Sequence, residues 1–199
     1  MRYLSIDIES TGLNQDDLII EFAMIPFCTE RKDFEHSLAR HFYVQCPPYE
    51  TLLPRLDPWV ANHNEKLIRK ANQEGISLSK FKAAMEAYVI CDEVIEYFNK
   101  DEKNKIVLFG KSLNAIDLPF LNRDLGWTFL RQHFHHQVLD LSGVSRALTD
   151  IKILPSDCVS GSGLMRYLGM GDVAHTAMED AVNTAKMYLS MMERLVTNK

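Results

Sequence analysis

Five residues of this 199-residue chain have the types and positions that could run a hydrolytic reaction: Asp7, Glu9, Asp117, His175 and Asp180. Asp7 and Glu9 lie two positions apart in Arg2 to Glu9, an alternating stretch that reads as a strand, so both side chains leave one face at its carboxyl end. At about 5 Å and an effective dielectric near 20, two such carboxylates repel by roughly 3 kcal/mol. Unless one is a solvated edge residue, the pair needs a compensating charge. Asp117 follows an apolar stretch, Ile106 to Phe109, within Gly110-Lys-Ser-Leu-Asn-Ala-Ile-Asp117-Leu-Pro-Phe-Leu121. Its plain alternative is a helix N-cap, because Pro119 suits a first turn. In His175-Thr-Ala-Met-Glu-Asp180, Thr176 and Glu179 have the spacing of a capping box. That reading leaves His175 just outside the helix and Asp180 at the end of its first turn, both able to face one point. The alternative is a capped surface helix with an incidental histidine.

Each acid stands at the end of an element, where functional residues gather in sheet proteins. Lys111 is the one basic residue beside them. Four carboxylates call for divalent cations, and an all-oxygen set favours Mg²⁺ or Mn²⁺ over zinc. A pair of such ions about 3.5–4 Å apart would clamp the attacking and leaving oxygens of a phosphodiester. An imidazole such as that of His175 is suited to take the proton from the attacking water at neutral pH.

The elements that must position these groups follow from periodicity. After the first strand and the turn Ser10-Thr11-Gly12, Leu18 to Phe27 reads as a second strand ended by Pro26, and His41 to Gln45 as a third. Three strands in a row suggest a meander. Pro47 to Pro58 holds four prolines and reads as a surface loop. From Trp59 the pattern turns helical, with Leu67, Ile68 and Ala71 on one face, and Ser79 opens a long amphipathic helix over Phe81 to Asn99. Ile106 to Phe109 is a buried-type strand; a helix should reach Leu125 before Gly126. Val138 to Leu141 reads as a strand, Gly163 to Leu168 as a short helix and Ala177 to Val196 as the closing helix. The order implies an α/β fold in which a mixed sheet carries helices on its faces, as one domain over residues 1–199.

Composition narrows the partners. With 46% hydrophobic and 25% charged residues the chain is an ordinary globular one, and disorder, collagen-like repeat and coiled coil are disfavoured. Cys28, Cys46, Cys91 and Cys158 form no CxxC pair, which fits a reduced cytoplasmic setting. Asp7 and Glu9 interrupt the first apolar stretch, so no signal peptide is expected, nor any membrane partner. A net charge of −5 lacks the basic stripe of a duplex-gripping protein. Nucleic acid must then be met at a small site that brings its own cations.

In this order the five residues resemble the motifs of the DEDDh 3′–5′ exonucleases, the DnaQ-like branch of the ribonuclease H-like superfamily. Asp7-Ile-Glu9-Ser-Thr-Gly resembles the first motif, Asp117-Leu-Pro-Phe-Leu the second and His175-x4-Asp180 the third, over a span from Arg2 to about Lys186. The resemblance implies a ribonuclease H-like sheet, a three-strand antiparallel meander plus parallel strands. It also implies release of 5′-mononucleotides from a free 3′ end. Asp7, Glu9 and Asp180 would hold the metal nearest the attacking water, Asp7 would share the second metal, with Asp117 acting through water, and His175 would be the general base. Thr11, Gly12 and Leu13 would line the substrate site, Leu13 as an apolar wedge by the terminal base. The second motif departs from the family: Ile116 replaces the aromatic before the aspartate, and either Ser112 or Asn114 stands in for the usual asparagine.

Leu56-Asp-Pro-Trp59-Val-Ala-Asn-His63 is more loosely similar to a segment of oligoribonucleases in which an aromatic stacks on a base. The alternatives are a helix-entry aromatic for Trp59 and a polar helix residue for His63. His133-Phe-His135-His136 reads as a solvated segment rather than a metal site. The substrate is therefore expected to be single-stranded or short DNA or RNA, with Lys111, Arg123, Arg131 and Arg166 adding isolated contacts. A proofreading subunit of a polymerase assembly and an oligoribonuclease are the alternatives within the family; homodimerisation is left open. Outside it stand an inactive binding scaffold, which should lack a ligand, and another phosphohydrolase using the same metals.

Overall fold

The computed structural model describes residues 1–171 and 176–197, so His175 lies outside the described residues. The strands are β1 (Arg2–Ser10), β2 (Ile19–Cys28), β3 (Asp33–Phe34), β4 (Arg40–Tyr43), β5 (Leu108–Gly110) and β6 (Leu139–Asp140). Helices α1 (Tyr49–Leu52), α2 (Pro58–His63), α3 (Glu65–Glu74), α4 (Leu78–Ile90) and α5 (Asp92–Phe98) cross from β4 to β5. Then α6 (Asp117–Leu125) and α7 (Trp127–His133) lead to β6, followed by α8 (Leu141–Asp150), α9 (Gly161–Leu168) and α10 (Ala177–Thr197). The sheet runs β3-β2-β1-β5-β6, with β4 also beside β2. β1 and β2 are antiparallel, whereas β5 joins β1 and β6 joins β5 in parallel. The expected mixed sheet of meander plus parallel strands is present.

Alternation on β1 splits its side chains between two cores. Leu4, Ile6 and Ile8 pack with Phe22, Met24, Phe81 and Met85 on one face. Tyr3 packs with Phe27, Phe109 and Met191 on the other. Ser5, Asp7 and Glu9 continue that second face, over which α10 lies. The helix presents Ala177, Ala181 and Ala185 there, all fully buried, above Ala23 of β2. Small residues at i, i+4 and i+8 let helix and sheet approach closely. The Ser5 hydroxyl closes the contact by donating to the carbonyl of Ala181 at 2.7 Å.

Several boundaries differ from expectation. β2 runs through Pro26 to Cys28, because this proline sits where β4 hands over to β3 and no strand there needs its missing N–H. Its carbonyl still accepts from Glu35 N–H. The expected long helix is two: Cys91, extended at φ −65° and ψ 136°, separates α4 from α5, and Asp92 and Glu93 suit the positive end of a new helix. The cap of α4 is Ser77, not Ser79. The proline-rich stretch is no plain loop: Pro48 precedes α1 and Pro58 opens α2, positions where a missing N–H costs nothing, and Tyr49 and Leu52 are buried. Helices α7 and α8 have no counterpart in the periodicity reading. No helix among the described residues is long and apolar enough to cross a membrane.

If Ser5 ties α10 to the sheet, Ser5→Ala should lower unfolding stability by about 1 kcal/mol. Urea denaturation measures this directly, and an unchanged midpoint would show that the bond contributes nothing.

Candidate active site

At the carboxyl end of β1, carboxylate oxygens of Asp7, Glu9 and Asp180 all lie within 4.8 Å of one another. Thr176 accepts from the Glu179 N–H, as the capping box requires, so α10 begins one residue later and Asp180 emerges in its first turn. The helix edge Asp180, Asn183, Thr184 and Met187 then walls a cleft of about 170 Å³ whose far side is Lys111, Ile116 and Asp117. Asp117 is buried at the start of α6. Ile116 stands at the cap position, so Asp117 is not the N-cap. Its carboxylate is hydrogen-bonded instead to the backbone of Ile8 and to its own N–H.

Electrostatics reflect this crowding. Burial holds the Asp7 carboxyl well above the usual carboxylate range, helped by the charges of Asp117, Asp180 and Glu9 and opposed by Lys111. Burial likewise pushes Glu9 up to about 7, with Asp180 and Glu21 adding and a hydrogen bond from Asn64 opposing. Asp117 is raised to about 7 chiefly by burial, against its two backbone bonds. Carboxylates gathered so tightly, all offering oxygen, fit a hard divalent cation.

The cleft opens into a groove of about 610 Å³, with Ile8, Glu9, Lys111 and Ile116 common to both. Leu13 and Trp59 line this groove and are 72% and 57% exposed. Gly12 is required: a Cβ there would lie 2.4 Å from an Asp17 carboxylate oxygen. Thr11 is buried and its hydroxyl is taken up by Asp17 and Leu18 N–H, so it braces the turn. His63 does not line the groove; it stacks on Trp59 with ring centroids 4.2 Å apart and 14° between planes. Ser112, not Asn114, has the positive φ (61°) that asparagine tolerates best, and its N–H and hydroxyl bond to Asp140 and Ser142. Asn114 is exposed and lines neither cavity.

Of the four basic residues expected to add contacts, Lys111 alone reaches the cleft. Arg123 donates to Asp124 and to the carbonyls of Gln15 and Asp17, Arg131 lies over Trp127, and Arg166 lines neither cavity. The histidine segment is only partly solvated: His133 is buried beside Lys100, while His135 and His136 stack on each other.

Two groups at the site escaped the sequence reading. Glu21 is fully buried opposite Glu9 and accepts from Ala177 N–H at the start of α10, with its other oxygen on His41 of β4. A lone glutamate inside the apolar run Leu18 to Phe27 was the available signal. Asn64, between α2 and α3, donates to the Ser10 carbonyl and touches Glu9, and nothing in its sequence neighbourhood marks it.

The model of the Exonuclease family, RNase_T, matches residues 4–188. The chain belongs to this family. The sequence matches no curated protein. Its fold is similar to Exonuclease I of E. coli in complex with a 5cy-dT13 oligonucleotide (TM-score 0.71, 17% identity, 98% of this chain and 41% of that one). It is also similar to cell-death related nuclease 4, CRN-4 (0.69, 16%, 97% and 64%). A third likeness is to the nuclease domain of 3′hExo, a DEDDh family member, bound to rAMP (0.64, 17%, 97% and 92%). The chain thus spans less than two thirds of CRN-4 and of Exonuclease I.

A carboxylate whose folded pKa is raised stabilises the fold below its unfolded pKa and loses that contribution as pH climbs through the folded value. The metal-free protein should therefore lose stability from about pH 4 to about 7, where Glu9 and Asp117 ionise. Mg²⁺ or Mn²⁺ should restore it at pH 7.5, by about 2.7 kcal/mol at a hundredfold excess over Kd, and do little at pH 5. Calorimetric melting across pH, with and without each ion, is the check; an ion-independent melting temperature at pH 7.5 would mean that the cluster holds no cation.

Proposed function

We propose that this chain is a metal-dependent 3′–5′ exonuclease, one domain over residues 1–199, that releases 5′-mononucleotides from the free 3′ end of single-stranded or short nucleic acid. The observation that carries the reading is the carboxylate trio Asp7, Glu9 and Asp180, within 4.8 Å, in a cleft that adjoins a groove lined by Leu13 and Trp59. Asp7, Glu9 and Asp180 would hold one divalent ion, and Asp7, supported by Asp117, a second. Two Mg²⁺ or Mn²⁺ ions bound there would supply Lewis acidity and neutralise charge at the phosphate. Hydrolysis forms a bond from the water oxygen to phosphorus and breaks the P–O3′ bond. His175 takes one proton from the water, and the departing 3′ oxygen gains one from solvent. Leu13 and Trp59 orient the terminal bases, as apolar and aromatic platforms do for unpaired strands.

The exposed Trp59 favours a second reading on the same chemistry, an oligoribonuclease-like preference for very short RNA. A groove of about 610 Å³ has the size of a small-ligand site and takes a few nucleotides rather than a duplex.

Given Mn²⁺ and an oligonucleotide with either a free or a blocked 3′ end, the protein should shorten only the free one, and Asp7→Asn should abolish turnover. Trimming of the blocked end, or near-normal turnover by the variant, would overturn the reading. Trp59→Ala should raise KM for short substrates by roughly 10–100-fold, from stacking of about 1–3 kcal/mol per base, with kcat largely kept. Product ladders on matched DNA and RNA of two to twenty nucleotides test this, and an unchanged KM at every length would remove Trp59 from the substrate site.

A further inference from the structure

We propose that Lys111 contacts the phosphate being cleaved, as a fixed positive charge that this chain adds to its acidic cleft; the inference rests on the nuclease reading above. Lys111 directly follows β5, and its side chain borders both the cleft and the groove, where a strand entering from one must present a phosphate to the other. Among the described residues it is the sole cation lining the cleft, where its charge acts on Asp7. The end of its side chain rests against the opposite wall. Gly161 opens α9 there, and a Cβ at that position would lie 2.6 Å from the Lys111 Nζ and 3.2 Å from its Cδ and Cε. An ammonium at the positive end of a helix is disfavoured. An anion lodged between ammonium and helix would be attracted by both, as Asp7 already is by the ammonium.

Charge balance identifies that anion. Asp7, Glu9, Asp117 and Asp180 together carry four negative charges, which two divalent ions cancel. Apart from Lys111 the cleft would then be neutral, and a phosphodiester would bring one negative charge that only Lys111 is left to match, rising as water attacks. Lys111 matches the first charge and is better matched to the transition state than to the ground state. Its role is therefore in turnover as well as binding.

Lys111→Met keeps most of the apolar stem and removes the charge; Lys111→Arg keeps the charge. Isothermal titration in Mn²⁺ would compare thymidine 5′-monophosphate with thymidine, alongside kcat and KM on a short oligonucleotide. The methionine variant should bind the nucleotide roughly 10–100-fold more weakly, bind thymidine as the wild type does, lose kcat by a similar factor and keep or tighten its affinity for Mn²⁺. The arginine variant should recover part of both losses. Should the wild type trim and the methionine variant match it in nucleotide affinity and kcat, this inference alone falls. Equal weakening towards thymidine and its monophosphate would assign Lys111 a structural role and also overturn it. A wild type that neither trims nor binds the nucleotide would bring down the nuclease reading and this inference together.

Discussion

Like charges held close and half-buried are the constraint around which this molecule is arranged. Asp7, Glu9 and Asp180 meet within 4.8 Å, with Asp117 buried beside them, and each raises the cost of ionising the others. A fold gains nothing for its own stability from such a cluster. Every element that converges on it does so against electrostatic resistance, and apolar packing elsewhere must offset that. The hydrophobic cores on the faces of the sheet, with a third cluster of Ile20, Tyr49, Leu52 and Ile68, supply the offset. The cluster itself lies at their shared margin, where β1 ends and α10 begins.

That margin is held by unusually specific polar contacts. Glu21 spans the gap between α10 and β4, taking the first helical N–H with one oxygen and facing His41 with the other. It fixes the helix end that carries Asp180 while adding yet another acid next to Glu9. The Ser5 hydroxyl holds the following turn. Alanine spacing on α10 sets the depth of approach, and the capping residues set its axial position. Depth and axial position together bring Asp180 into the reach of Asp7.

How much of this could be read from the sequence depended on whether the signal was local. The period-two alternation of β1 places Asp7 and Glu9 together without any knowledge of the fold, and Thr176 with Glu179 marks the start of α10. Pro26 and the proline-rich stretch misled because proline's effect depends on which neighbour its missing N–H would face, a tertiary fact. Cys91 divides α4 from α5 although Phe81 to Asn99 keeps a helical period, since periodicity survives a break that preserves the buried face. Glu21 and Asn64 owe their importance to partners on other elements, more than forty residues away for Ser10 and Asn64. Ser112 and Asn114 were indistinguishable until backbone conformation separated them.

The pairing of Trp59 with His63 has an effect beyond placing a ring in the groove. Residues i and i+4 on one short helix are joined face to face, and the His63 Nδ1 is also anchored to the Trp59 carbonyl at 2.8 Å. The indole is thus backed by a second flat surface and has little rotational freedom left to surrender. Any planar heterocycle that lands on its outer side extends a stack already begun, so the entropic toll of immobilising an exposed tryptophan has been met during folding rather than at the moment of encounter.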